Sequence, residues 1–219
     1  MITSVIMVCA SCAPALTPAA PVREAADTTA SDSVAAALLQ DVRGLDPSIL
    51  VELRYATSDN FAGAPLPGYE GNRAYLRREA AAALAAVNRE LSAGGLVLKV
   101  FDAYRPVRAT NAMVSWAQAA GRMDLFRDGY IASRSRHNVG VAVDVTLVER
   151  ATGRELEMGT AYDTFTEAAH TANASGIAAW NRQRLVQAMA RAGFVNYPRE
   201  WWHFTHGTAE APRFDMVIR

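Results

Sequence analysis

A chain of 219 residues, 51% apolar and 20% charged, is long enough for one domain with a real core and short for two. Twenty-two basic side chains balance twenty-two acidic ones. That balance excludes a nucleic-acid footprint and offers no basic run for a membrane surface, so a small partner or one read by local groups is expected, with no protein partner implied.

Met1 to Leu16 (MITSVIMVCASCAPAL) is apolar and then rich in small residues, and residues 19–33 are rich in Pro, Ala, Thr, Ser and Asp without apolar periodicity. Residues 1–33 therefore read as an export signal and flexible tether, ahead of a domain over 34–219. The run is too short to span a bilayer, and no Lys or Arg precedes it. A disordered tail is the plainer alternative. Cys9-Ala10-Ser11-Cys12 looks like a lipoprotein processing site with Cys12 as lipid anchor, although position 9 is not the usual aliphatic residue. Both cysteines lie here, so any metal in the body must be held by His and carboxylates.

Asp46-Pro47 marks a turn, and Ile49–Tyr55 reads as a strand rich in β-branched and aromatic residues. Residues 63–71, with two prolines and three glycines, form a loop. Asn72 is a plausible N-cap for a helix over Ala74–Leu91, ended by Gly94-Gly95. Leu96–Phe101 is a buried strand. Pro106 holds Arg105 extended and opens a helix running to Ala120. A strand over Val141–Leu147, a loop to about residue 175, a helix over Gly176–Ala192 and closing strands at Trp201–His206 and Phe214–Ile218 follow. The order predicts an α+β single domain with a central, largely antiparallel sheet flanked by helices.

The chain has four histidines, His137, His170, His203 and His206. In a strand from Val141, the valines share one face and Asp144 takes the other, where a carboxylate is costly unless paired or bound to metal. Gly140 permits a bend or bulge that would bring His137 to Asp144. Taken singly, His137 reads as a surface or capping histidine and Asp144 as a turn or ion-pair residue. Glu200-Trp201-Trp202-His203-Phe204 is a second cluster. A strand there puts Trp202 and Phe204 on one face and His203 on the other, and Glu200 reaches His203 if the chain turns at 200–202. Alone, it reads as an aromatic core cluster with an incidental Glu–His pair. Together the residues supply two imidazoles and a carboxylate, a ligand set suited to catalytic zinc, and a free carboxylate to act on a water.

Ser135-x-His137-x-x-Gly140-x-Ala142-x-Asp144 with Glu200-x-Trp202-His203 resembles the zinc D-Ala-D-Ala peptidases related to the Hedgehog signalling domain. Leu53 to Thr57 with Asn60-Phe61, Asp102-x-Tyr104-Arg105-Pro106, and Met158-Gly159-Thr160 with Asp163-x-Phe165 resemble its dipeptidase branch, the VanX-type D-alanyl-D-alanine dipeptidases. The resemblance runs from about residue 46 to 206. It implies one Zn²⁺ per chain on His137, Asp144 and His203, with Glu200 as general base and Arg105 stabilising an oxyanion. It implies a dipeptide site of Tyr55, Ser135 and Asp163, with Asp163 and Glu200 near the free amine and Asp102 supporting Arg105 or the pocket wall. Ala161-Tyr162-Asp163 departs from the family's common Pro-Phe-Asp-like sequence, and His206 rivals His203 as a ligand. The expected activity is dipeptide hydrolysis in cell-wall metabolism or glycopeptide resistance. A D,D-carboxypeptidase acting on stem peptides and a non-enzymatic zinc-containing wall-binding module are the alternatives.

Overall fold

The computed structural model describes residues 29–207 and 212–219. The apolar leader and Cys12 lie outside the described residues. Structure begins inside the expected tether: Thr29–Ala30 (β1) precedes Asp32–Leu38 (α1), whose first turn is capped by Ser31. Leu39–Asp41 (β2) and Leu50–Val51 (β3) follow. The strand expected over Ile49–Tyr55 is thus only two residues long. The chain turns into a 3-10 segment at Arg54–Ala56, which buries Tyr55.

The helix expected from Ala74 begins later. Tyr75–Arg77 (β4) pairs antiparallel with β2, and Arg78–Ala93 (α2) follows. Asn72 is not an N-cap: its side chain accepts from Leu53 N and donates to Val51 O, pinning the loop to β3. Tertiary pairing here overrides the helical periodicity of the alanine-rich run. Leu96–Asp102 (β5), Val107–Ala119 (α3), Asp124–Arg127 (α4), Ala142–Glu149 (β6) and Gly176–Arg191 (α5) come next. Phe194–Asn196 (β7), His203–His206 (β8) and Arg213–Phe214 (β9) close the chain. The last expected strand shrinks to β9, which pairs with β1, plus a bridge at Ile218.

The central sheet has the order β3-β5-β6-β8-β7. Only β3–β5 is parallel; the three other pairs are antiparallel. The class is α+β, as expected. Helices α2 and α5 pack on each other and on the sheet, and Val143, Val145 and Leu147 join Leu84, Val87, Leu185 and Met189 in one apolar core. Asp144 occupies the alternate position on β6, away from that valine row. No helix among the described residues is long and apolar enough to cross a membrane.

One buried amide fastens helix to sheet. Asn88 on α2 donates to Asp46 Oδ2 (2.9 Å) and Ser48 Oγ (2.8 Å) and accepts from Leu98 N on β5 (2.8 Å). Asn88→Ala leaves the Leu98 N–H without this acceptor and is expected to destabilise the fold by roughly 2–4 kcal/mol, read from urea unfolding. Burial would raise the Asp46 carboxyl, but bonds from Asn88 and from the Ser48 side chain and backbone outweigh it and hold it below its ordinary value. Asp46 therefore stabilises the fold above its unfolded value, about pH 4, and that contribution fades as pH falls through the lowered folded value. In Asp46→Asn the same unfolding series should lose this part of the acid dependence.

Candidate metal centre and active site

The sheet register assembles the site. Strands β5, β6 and β8 lie side by side, with Asp144 opposite both Asp102 and His203. Directly opposed residues in antiparallel strands hold their Cβ atoms about 4.5–5.5 Å apart, so Asp144 and His203 meet by pairing alone. His137 arrives from a different element, the 3-10 turn Arg136–Val139. Gly140 ends that turn in the left-handed conformation at φ +76°, and a Cβ there would stand 2.5 Å from Leu39 Cδ2. The expected bend at Gly140 is thus real, and it drops the chain from His137 into β6.

Three donor atoms converge. His203 Nδ1 lies 2.9 Å from Asp144 Oδ1 and 3.1 Å from His137 Nε2, and His137 Nε2 lies 3.4 Å from Asp144 Oδ1. Ligand atoms on a tetrahedral zinc stand roughly 3.3 Å apart, given zinc–nitrogen distances of about 2.0–2.1 Å. His137 Nδ1 donates to Ala103 O at 2.6 Å, which leaves the Nε2 lone pair facing the cluster. Burial lowers His203 despite the Asp144 carboxylate beside it, favouring the neutral ring that ligates. Burial opposes ionisation of Asp144, yet His137 and His203 hold its carboxyl far below the usual range. An ionised carboxylate with two imidazole lone pairs fits a divalent metal, and no other group of this kind occurs among the described residues. His206 is not part of it; its ring packs on Phe194 at 4.9 Å. His170 faces Tyr130, its Nε2 3.1 Å from the hydroxyl.

Glu200 sits beside the cluster, its Oε2 3.8 Å from His203 Nδ1. The turn required at 200–202 is present: Glu200 N donates to Tyr197 O and His203 N to Glu200 O. Trp202 belongs to this turn rather than to a strand, so it lines the cavity with His203 instead of facing away from it. Burial, then the nearby Asp144 and Asp163, raises the Glu200 carboxyl well above its ordinary value.

The cavity measures about 430 Å³ and is lined by Tyr55, Arg105, Ser135, Asp163, Glu200 and the three metal-facing residues, among others. Asp102 does not line it. Fully buried, it receives Arg105 Nε (2.9 Å) and Nη2 (2.8 Å) on Oδ2 and the Tyr69 hydroxyl (2.6 Å) on Oδ1. It therefore stands behind Arg105, one oxygen accepting from the guanidinium and the other from Tyr69, and supports that side chain rather than facing the cavity. Arg105 in turn lies over the Tyr55 ring at 5.1 Å and turns Nη1 toward Met113. Ser135 Oγ accepts from His137 N, so it caps the turn that carries the histidine.

Asp163 combines strain and want of a partner. It is the one non-glycine residue at positive φ (58°) among the described residues, and its buried Oδ2 has no hydrogen-bond partner. Its Oδ1 accepts from the Tyr55 hydroxyl at 3.1 Å. Burial and the Asp144 charge raise it well above the carboxylate range. Strain and unsatisfied polarity of this kind collect at ligand sites. The loop that carries Asp163 is held by Arg182, a buried guanidinium on α5 that donates to the carbonyls of Met158, Ala168 and His170.

Sequence reading missed one residue here. Tyr162 places its hydroxyl 3.0 Å from Asp144 Oδ2 and 3.0 Å from Tyr55 Oη. The only signal was the departure at residues 161–163, which reads as a change of pocket shape rather than as a new hydrogen bond.

Two histidines and a carboxylate around a cavity that also holds a free glutamate have the make-up of a metallopeptidase. The chain belongs to the D-ala-D-ala dipeptidase family of M15 peptidases, whose model matches residues 35–216. It is 37% identical to the D-alanyl-D-alanine dipeptidase of Enterococcus faecium over 186 residues, covering 77% of this chain and 92% of that one. The corresponding dipeptidases of Streptomyces coelicolor and Escherichia coli K12 are 35% and 36% identical, covering 70% and 76% of this chain and 84% and 83% of theirs.

Proposed function

We propose that this chain is a zinc metallodipeptidase that hydrolyses D-Ala-D-Ala or a related D,D- or L,D-dipeptide in cell-wall peptide metabolism. His137, Asp144 and His203 hold one Zn²⁺ in this reading. When bound, the ion supplies Lewis acidity, polarising a carbonyl oxygen and acidifying a water. Glu200, beside His203 and outside the three converging donors, accepts a proton from the attacking water and returns it to the departing amine. Arg105, held charged by Asp102, faces negative charge developing on the scissile carbonyl oxygen.

The observation that favours a free dipeptide over a longer stem peptide is Asp163. A buried carboxylate with an unpartnered oxygen is matched by a cation, and the α-ammonium of a dipeptide is one. In a stem peptide the equivalent nitrogen is a neutral amide with chain beyond it. D-Ala-D-Ala should therefore release D-alanine, and N-acetyl-D-Ala-D-Ala should lose roughly a hundredfold in kcat/KM, about 2.7 kcal/mol. Equal cleavage of a pentapeptide stem would favour the carboxypeptidase reading instead. The leader read over residues 1–33 supports export to the cell envelope, with Cys12 as lipid anchor. Incorporation of labelled palmitate that disappears in Cys12→Ser tests this.

A further inference from the structure

Tyr162 stands between the two halves of the site. Its ring stacks on Phe101 at 4.8 Å and meets Trp202 edge-on at 5.4 Å. The two 3.0 Å contacts of its hydroxyl, with the Tyr55–Asp163 contact of 3.1 Å, set Asp144, Tyr162, Tyr55 and Asp163 in one line of polar contacts, with two hydroxyl protons to serve three contacts. One end is a metal-facing carboxylate, and the other is the carboxylate assigned to the dipeptide's amine.

The two oxygens of Asp144 have separate partners. Oδ1 faces His203 and His137, while Oδ2 meets the Tyr162 hydroxyl. A carboxylate that ligates through one oxygen needs a donor on the other to fix its rotation. Tyr162 has one proton and two acceptors within reach. The Asp144 carboxylate is the charged one, so the stronger bond is to it. Tyr55 then directs its own proton either to Tyr162 Oη or to Asp163 Oδ1. It is the member of the chain free to turn when a ligand neutralises Asp163.

We propose that Tyr162 is a positioning residue for the metal site: its hydroxyl fixes the Asp144 carboxylate and, through Tyr55, links that ligand to the dipeptide anchor. The proposal rests on the metal reading above and not on which dipeptide is cleaved.

Tyr162→Phe keeps the ring and removes only the hydroxyl. The full chain and this variant are compared for zinc affinity by competition with a chromophoric chelator, and for the visible spectrum of the cobalt(II)-substituted form. The variant should hold zinc about 10–100-fold more weakly and show a changed cobalt spectrum, with circular dichroism unaltered. Tyr55→Phe breaks the chain one bond further from the metal. It should raise KM while moving zinc affinity by no more than about threefold, since Asp144 keeps its donor. Unchanged zinc affinity and spectrum in Tyr162→Phe overturn the proposal and leave the metal reading intact. So does a folded Tyr55→Phe that loses zinc as strongly as Tyr162→Phe is expected to. A wild-type chain that takes up no zinc overturns both.

Discussion

Glu200→Gln is expected to lower kcat by about a thousandfold, within the 10²–10⁴ range of general acid–base catalysis, while one metal ion per chain is retained. The substitution keeps the shape of the side chain and removes its ability to accept a proton. The carboxylate is not among the three converging donors, lying 3.8 Å from His203 Nδ1. Metal content should therefore separate it from the ligand variants. Asp144→Ala, by contrast, removes the anion around which both imidazoles gather, so it should lose metal and activity together. KM in Glu200→Gln should change far less than kcat, because an interaction made in the transition state is what has been deleted. Loss of metal from a folded Glu200→Gln would move this residue into the ligand set. Persistent turnover would remove it from the proton path, whereas a biological effect that survives the loss of turnover would favour a wall-binding role for the domain.

Arg105→Ala should cost about 10²–10³ in kcat, the scale of deleting one oxyanion stabiliser. Arg105→Lys should recover little. Asp102 holds Nε and Nη2 together, and an ammonium cannot reproduce that two-point grip while also facing the cavity. A second consequence discriminates this role from a plain ion pair. Asp102 is fully buried, so removing Arg105 leaves its charge uncompensated and should lower the melting temperature in Ala more than in Lys. Steady-state kinetics with melting curves on both variants gives the split. A Lys variant with wild-type kcat would reduce Arg105 to a structural partner of Asp102.

The parts of the site that could be read from the sequence are those carried by short linear spacing. Asp144 was marked by its place among alternating valines, and the meeting of His137 with it needed only the flexibility of Gly140. The register that sets Asp144 opposite His203 spans 59 residues and is invisible to local pattern. The family resemblance, rather than periodicity, singled out His203 over His206. Three features lay beyond reach for physical reasons. The helix start at Arg78 depends on β4 pairing with β2. The bond from the Tyr162 hydroxyl to Asp144 depends on how the loop between β6 and α5 folds back over the sheet. The strained backbone of Asp163 depends on a loop held by Arg182 from another element. Each is a tertiary contact imposed on residues whose local sequence is permissive.

Titration of the metal-free chain with zinc, followed by release of D-alanine from D-Ala-D-Ala, tests the account most directly. Activity should be absent without metal, rise linearly and saturate at one equivalent per chain. Turnover by the metal-free chain, or one bound zinc with an intact fold and no D-alanine released, would contradict it.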